Sequence, residues 1–307
     1  MYPSSSVQAD VVQKEVGVYN IICTPLVRGR HDLTVEVNGK VARESPFRVF
    51  VKIYPTQMGP PIQSISRLNQ PWGISFNNKH QLMVADCEGK TILVLERDAK
   101  RVQNIQCDQF QKPCAVATDH EGTVYVTDWS AQCLFKFGKE GRLLKSVRNE
   151  LKCPYFIKNI KNQLYVSDYD NEQVKVFDTN CNVIQTISTR ECPKPYDIAG
   201  CDNCLYVVGG DKIGVYSQSS GDFIRYVNIK PSSVKLSHPR GICFDCSGHL
   251  FVTQVGSDLG VFKPSGDHVA TFSSASREMS VRPAGIAIDE DGFVYVCDFL
   301  GGNVTVF

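Results

Sequence analysis

Residues 163–177 read QLYVSDYDNEQVKVF. Apolar and polar residues alternate through LYVSD and again through VKVF, and a short polar turn separates the two runs. Alternation of period two with Val, Tyr and Phe in the apolar places is the mark of a half-buried strand. The stretch is therefore one hairpin. It also has counterparts elsewhere in the chain, which a search for internal self-similarity finds at once.

The prolines that open each unit are Pro71, Pro113, Pro154, Pro195, Pro239 and Pro283, spaced by 42, 41, 41, 44 and 44 residues. Behind each comes an apolar stretch such as GISF (73–76), AVAT (115–118) or GIAI (285–288). A polar turn follows, then an alternating run: LMVAD, VYVTD, LYVSD, LYVVG, LFVTQ or VYVCD. A third run comes next: ILVL, LFKF, VKVF, IGVY, LGVF or VTVF. Complete units close with a looser fourth run. Each unit reads as a four-stranded antiparallel meander, and six of them stacked radially make an all-β, six-bladed β-propeller. The last unit stops at Phe307 without a fourth run, whereas PIQSISRL (61–68) stands alone before the first. Pairing 61–68 beside VTVF is expected to complete the sixth blade and remove an open edge.

The segment GVYNIICTPLVRGRHDLTVEVNGKVARESPFRVFVK (17–52) has strands with turns about every ten residues, the spacing of an immunoglobulin-like β-sandwich. It is about half the length of such a domain, so its first strands are expected in a longer parent chain. The division is thus 1–54 for a partial sandwich and 55–307 for the propeller.

Composition narrows the function. Lys and Arg number 33 against 32 Asp and Glu, for a net charge of +1. That balance points to neither DNA nor a membrane surface. No apolar run reaches the roughly 20 residues of a membrane span. The 13 cysteines lack framework spacing and the N-terminus lacks an export signal, which fits reduced thiols in the cytoplasm.

The units PWGISF…LMVADCEGKTILVL, PYFIKN…LYVSDYDNEQVKVF and PAGIAIDEDGFVYVCDFLGGNVTVF resemble NHL repeats. The segment GVYNIICTPLVRGRHDLTVEVNG…SPFRVFV is similar to the C-terminal half of a filamin-type repeat. A filamin-type repeat followed by six NHL units resembles the TRIM-NHL family of tripartite-motif proteins, over nearly the whole chain. The resemblance implies the partner-recognition region of an E3 ubiquitin ligase, supporting ubiquitination and proteasomal degradation of bound targets. Ubiquitin transfer would need a RING finger outside these residues. Several family members bind RNA through the propeller, so mRNA repression is the alternative. The family's turn arginine is missing at Thr91, Cys133, Gln173 and Asn303, which counts against RNA.

The loops before strand one and between strands two and three should share one face, the place where a rigid scaffold concentrates binding residues. Their candidates for partner contact are Trp72, Lys90, Trp129, Tyr155, Tyr169, Tyr196, Arg240 and Phe299, and charged residues such as Lys212 and Asp258 share the same loops. Aromatics with scattered charges suit a protein interface, and the same rings can stack on the bases of single-stranded RNA. Packing between blades is the plain structural alternative for each of them. Asp86, Asp128, Asp168 and Asp298 share one repeat position at the end of strand two, where Gly209 and Gln254 stand in blades four and five. They are expected to fix the following turn rather than to catalyse. The pairs CDNC (201–204) and CFDC (243–246) have zinc-like spacing, but the repeat puts them in different environments. The histidines fall at unrelated repeat positions and no nucleophile lies beside a base, so a metal-dependent propeller enzyme ranks third. No cofactor motif is present and no catalytic residue is assigned.

Overall fold

A computed structural model describes residues 61–307 except 232, 233, 235, 257 and 274–281, together with the backbone of short strands between Ala9 and Val51. The chain divides into two compact units, Met1–Tyr54 and Pro55–Phe307.

In the first unit, Ala9–Glu15 pairs antiparallel with Val18–Cys23, and Gly29–Leu33 pairs with Phe47–Val51. Glu36–Val37 and Lys40–Val41 form a small hairpin. Two details differ from the sequence reading. Ala9–Glu15 is a strand that the reading left out. Residues 29–37 also serve two separate pairings, Gly29–Leu33 with Phe47–Val51 and Glu36–Val37 with Lys40–Val41. The side chains of the proposed sandwich, and hence its core, lie outside the described residues.

The second unit is a β-propeller of six four-stranded antiparallel sheets. Blade 3 shows the pattern: Pro154–Ile160, Gln163–Asp168, Gln173–Phe177 and Val183–Ser188, in spatial order. The inner strands of the other blades are Pro71–Phe76, Pro113–Thr118, Pro195–Cys201, Pro239–Phe244 and Pro283–Ile288. Second and third strands read as almost continuous buried runs, such as LMVAD (82–86) with TILVL (91–95), because both faces of each sheet meet a neighbouring blade. The outermost strands are mostly exposed, Val102, Leu144, Ile184 and Ile224 among them.

Closure follows the expected route. Gln63–Ile65 is the outer strand of blade 6, with Ile65 opposite Val304 and Ser64 opposite Thr305. Ile62 N–H donates to the Val306 carbonyl at 2.8 Å. A second tie joins the same two blades: the Arg97 guanidinium of blade 1 pairs with Asp289, at 2.8 Å, and with Asp291 of blade 6.

Neighbouring inner strands are held by a recurring device. Thr127, Ser167 and Thr253 occupy equivalent places in second strands and donate to the next blade's Tyr155, Tyr196 and Ala284 carbonyls at 2.8, 2.7 and 3.3 Å. Val208 takes that place in blade 4, and there the buried Asp197 carboxylate accepts Ile242 N–H of blade 5 at 2.9 Å. Blades 6, 1 and 2 instead pack closely through glycine. A β-carbon on Gly285 would sit 2.7 Å from the Trp72 carbonyl oxygen, and one on Gly73 2.5 Å from that of Cys114.

Candidate functional site: the aromatic mouth of the channel

The residue after each opening proline faces one mouth of the central channel. In every blade the register between strands one and two shifts just there, between Pro71 and Ile74, Pro154 and Ile157, Pro195 and Ile198, and their equivalents. A bulge leaves one residue out of the ladder and re-aims its side chain. The residues so presented are Trp72, Cys114, Tyr155, Tyr196, Arg240 and Ala284 in blades 1 to 6.

Trp72 is flanked by the small Cys114 and Ala284, and its indole crosses the mouth. It stacks on Tyr155 of blade 3 at 5.5 Å and on Tyr196 of blade 4 at 6.2 Å, with interplanar angles of 30° and 29°. Phe299 of blade 6 meets it edge-on at 4.7 Å. Tyr169 lies 4.9 Å and Trp129 6.4 Å from Tyr155. The six rings form one contiguous array, of which only Tyr196 is fully buried. Such pairs contribute roughly 0.5–1.5 kcal/mol each beyond their buried area, so the array is a rigid platform. The Trp72 indole N–H is buried with no acceptor among the described residues.

Cations cap the outer edge of the array. Arg240 lies 4.6 Å over Tyr196, Lys194 5.6 Å over Tyr169 and Lys112 5.6 Å over Trp129. Lys112 also pairs with Glu88 at 2.7 Å, and that hydrogen bond holds its ammonium above its ordinary pKa. Trp72, Tyr155, Tyr196, Phe299, Arg240 and Arg282 surround a hollow of about 240 Å³. Tyr169, Tyr196 and Arg240 also border a second hollow of about 290 Å³, reaching Lys194, Asp211 and His238.

Of the eight residues expected on this face, seven come together and Lys90 does not. Lys90 is exposed, and among the described residues no ring or ion-pair contact joins it to the array. Lys212, counted with this face in the sequence, turns instead onto the Tyr226 ring of the outer strand at 4.4 Å. The Asp258 side chain lies outside the described residues.

The four aligned aspartates are buried and accept hydrogen bonds from backbone. Asp128 binds Gln111 N–H at 2.7 Å, Lys112 N–H at 2.9 Å and Ala131 N–H at 2.8 Å. Asp168 binds Lys152 and Cys153 N–H, Asp86 binds Asn69 N–H, and Asp298 binds Gly301 N–H. Most of these donors belong to the loop before strand one, not to the following turn as the sequence suggested. The carboxylates of Asp86, Asp128 and Asp168 therefore tie the two mouth loops of a blade together. Gln254 does the same in blade 5 through Ser237 N–H at 2.8 Å. In blade 4 the Cys192–Pro193 backbone occupies the space that a side chain at Gly209 would need.

Deeper in the channel sit residues that sequence reasoning passed over. Lys158 acts electrostatically on Asp197, Cys243 and Cys297, which belong to blades 4, 5 and 6, so its ammonium lies near the axis. Burial raises the Asp197 carboxyl above its ordinary value, and Lys158 opposes that shift. The signal was present: Lys158 shares its repeat position with Ser75, Ala117, Ala199, Cys243 and Ala287, and is the one charged residue there. Among the described residues, no group of three His, Cys, Asp or Glu side chains is placed to hold a metal ion. Cys201 and Cys204 flank a hairpin turn, Cys243 is in an inner strand and Cys246 is exposed. No helix among the described residues is long and apolar enough to cross a membrane.

No family model matches the chain. Solved structures that resemble it are propellers of diverse function. Virginiamycin B lyase from Staphylococcus aureus superposes with a TM-score of 0.61 at 16% identity, covering 80% of this chain and 87% of the lyase. A gluconolactonase from Xanthomonas campestris gives a TM-score of 0.63 at 13% identity, over 82% of this chain and 95% of the enzyme. The WD40 propeller domain of Doa1 gives 0.61 at 14% identity, over 77% and 78% of the two chains. Identities this low show the fold alone: an all-β, six-bladed propeller, a scaffold suited to binding partners on its loop-bearing face.

Proposed function

We propose that this chain is the partner-recognition part of a TRIM-NHL-like E3 ubiquitin ligase. A protein target docks on the aromatic mouth and is held near a ubiquitin-transfer module of the parent protein. Residues 1–54 are then the C-terminal part of a filamin-type repeat. One observation carries the recognition reading: six rings from five blades form a single platform, edged by three cations and still half open. Clustered Trp, Tyr and Arg around a hollow is the composition of an interface hot spot. Two propellers of similar fold are enzymes, but the described residues bring together no group of three His, Cys, Asp or Glu side chains that could hold a metal ion.

The stacked rings also suit unpaired RNA bases. The face pairs Lys112 with Glu88 and carries Asp170, Glu172 and Asp211 among its cations, a mixture that suits protein better than a phosphate backbone. In cells, Tyr169→Ala in the full-length protein should abolish co-purification and ubiquitination of its targets, with the melting temperature of the propeller unchanged. Crosslinking to RNA that is lost in the same variant, with protein capture intact, would move the assignment to RNA.

A further inference from the structure

We propose that the hollow beside Arg240 receives the carboxylate of a single acidic residue, carried by a peptide segment whose neighbouring residues are apolar. The inference rests on the recognition reading above and names the ligand of that site.

The hollow brings together two guanidiniums, Arg240 and Arg282, and no carboxylate; its other walls are aromatic rings, Pro283 and Ala284. Arg240 is half-buried, and its guanidinium carbon lies 4.6 Å from the centre of the Tyr196 ring. Stacking engages the face of a guanidinium and leaves its N–H edge for a planar, two-oxygen acceptor. Among the described residues Arg240 forms no ion pair or hydrogen bond, whereas Arg97, Lys112 and Lys175 all hold carboxylates. A partly desolvated cation without a counter-ion, in a cup of apolar walls, is complementary to one anion and to apolar groups around it. Asp170, Glu172 and Asp211 on the rim disfavour a run of negative charges, which selects against both a polyacidic tract and an RNA backbone.

The test measures binding of the full chain to two fluorescein-labelled heptapeptide pools. They are apolar at the flanking positions and differ only at the centre, Glu in one and Gln in the other. The Glu pool should bind at least about tenfold more tightly, and Arg240→Gln should remove that difference. Arg240→Lys should restore only part of it, because an ammonium lacks the two-pronged edge. Melting curves establish that each variant is folded, and Arg282→Gln serves if Arg240→Gln is not. Equal affinity for the two pools, with both weakened by Tyr169→Ala, overturns the carboxylate inference and leaves the recognition reading standing. Failure of both pools to bind sinks both. An oligouridylate that binds more tightly than the Glu pool, and loses binding in Arg240→Gln, assigns the site to phosphate and refutes the proposal.

Discussion

Asp128→Ala is the most informative single perturbation of the mouth, because its cost follows from bonds that differ from blade to blade. Asp128 is fully buried and takes three backbone N–H groups, from Gln111, Lys112 and Ala131. A hydrogen bond to a charged group contributes roughly 1.5–3 kcal/mol net, so three give a gross loss of about 4–9 kcal/mol. Removing a buried carboxylate also removes its own desolvation cost, which is several kcal/mol. Water can reach the amides of the exposed Gln111 and half-exposed Lys112, but less easily that of buried Ala131. The net loss should be about 3 kcal/mol, or roughly 6–12 °C in melting temperature for a unit of this size. Among the described residues Asp86 takes only the Asn69 amide, shared between its two oxygens, and Gln254 accepts one neutral bond from Ser237 N–H. Their alanine variants should lose about 1.5 and about 1 kcal/mol. Urea titrations of the three variants test the order, and hydrogen exchange at Ala131 should accelerate only in Asp128→Ala. An Asp128→Ala variant within 1 kcal/mol of the parent, or less damaged than Asp86→Ala, would refute the account of these carboxylates as loop ties.

Three further outcomes are expected. Arg97→Ala leaves two nearly buried carboxylates without their partner and should cost about 2–3 kcal/mol. Burial already raises the Asp289 carboxyl above its ordinary 3.8, so protonation favours the folded state and the variant should regain stability as pH falls from 7 towards 4; a loss that stays constant with pH counts against the ion pair. Ile65→Ala opens the closing strand of blade 6 and should cost about 2–4 kcal/mol by calorimetry, with faster exchange at Val306; an unchanged melting curve would show that closure does not limit stability. A thiol reagent at pH 8 should label exposed Cys246 first, while Cys87 and Cys133, pushed up to about 12 by burial, react only on unfolding; prompt labelling of either would contradict their burial.

The blades were legible because two-residue alternation and turn residues are local, and six copies reinforce one another. Closure was legible because VTVF lacked a partner and PIQSISRL had none. The aspartates were half legible. Their repeat position marked them as structural, but the main donors to Asp86, Asp128 and Asp168 lie 15 to 17 residues upstream, across a hairpin that sequence alone does not fold. Trp72 was picked out as a mouth residue, yet its reach to Tyr155 and Tyr196 depends on side-chain length across the axis. The clue was the small Cys114 and Ala284 on either side. Lys90 and Lys212 failed for the complementary reason: a loop position fixes where a long side chain starts, not where its ammonium settles.

The position of Trp72 changes what kind of opening the propeller has. With its ring laid against Tyr155 and Tyr196, the channel is corked at this end. Lys158 lies three residues further along the same strand as Tyr155, or roughly 10 Å below the cork. The indole thus stands between a ligand on the aromatic face and the Lys158 level of the channel, and Trp72→Gly would remove that partition.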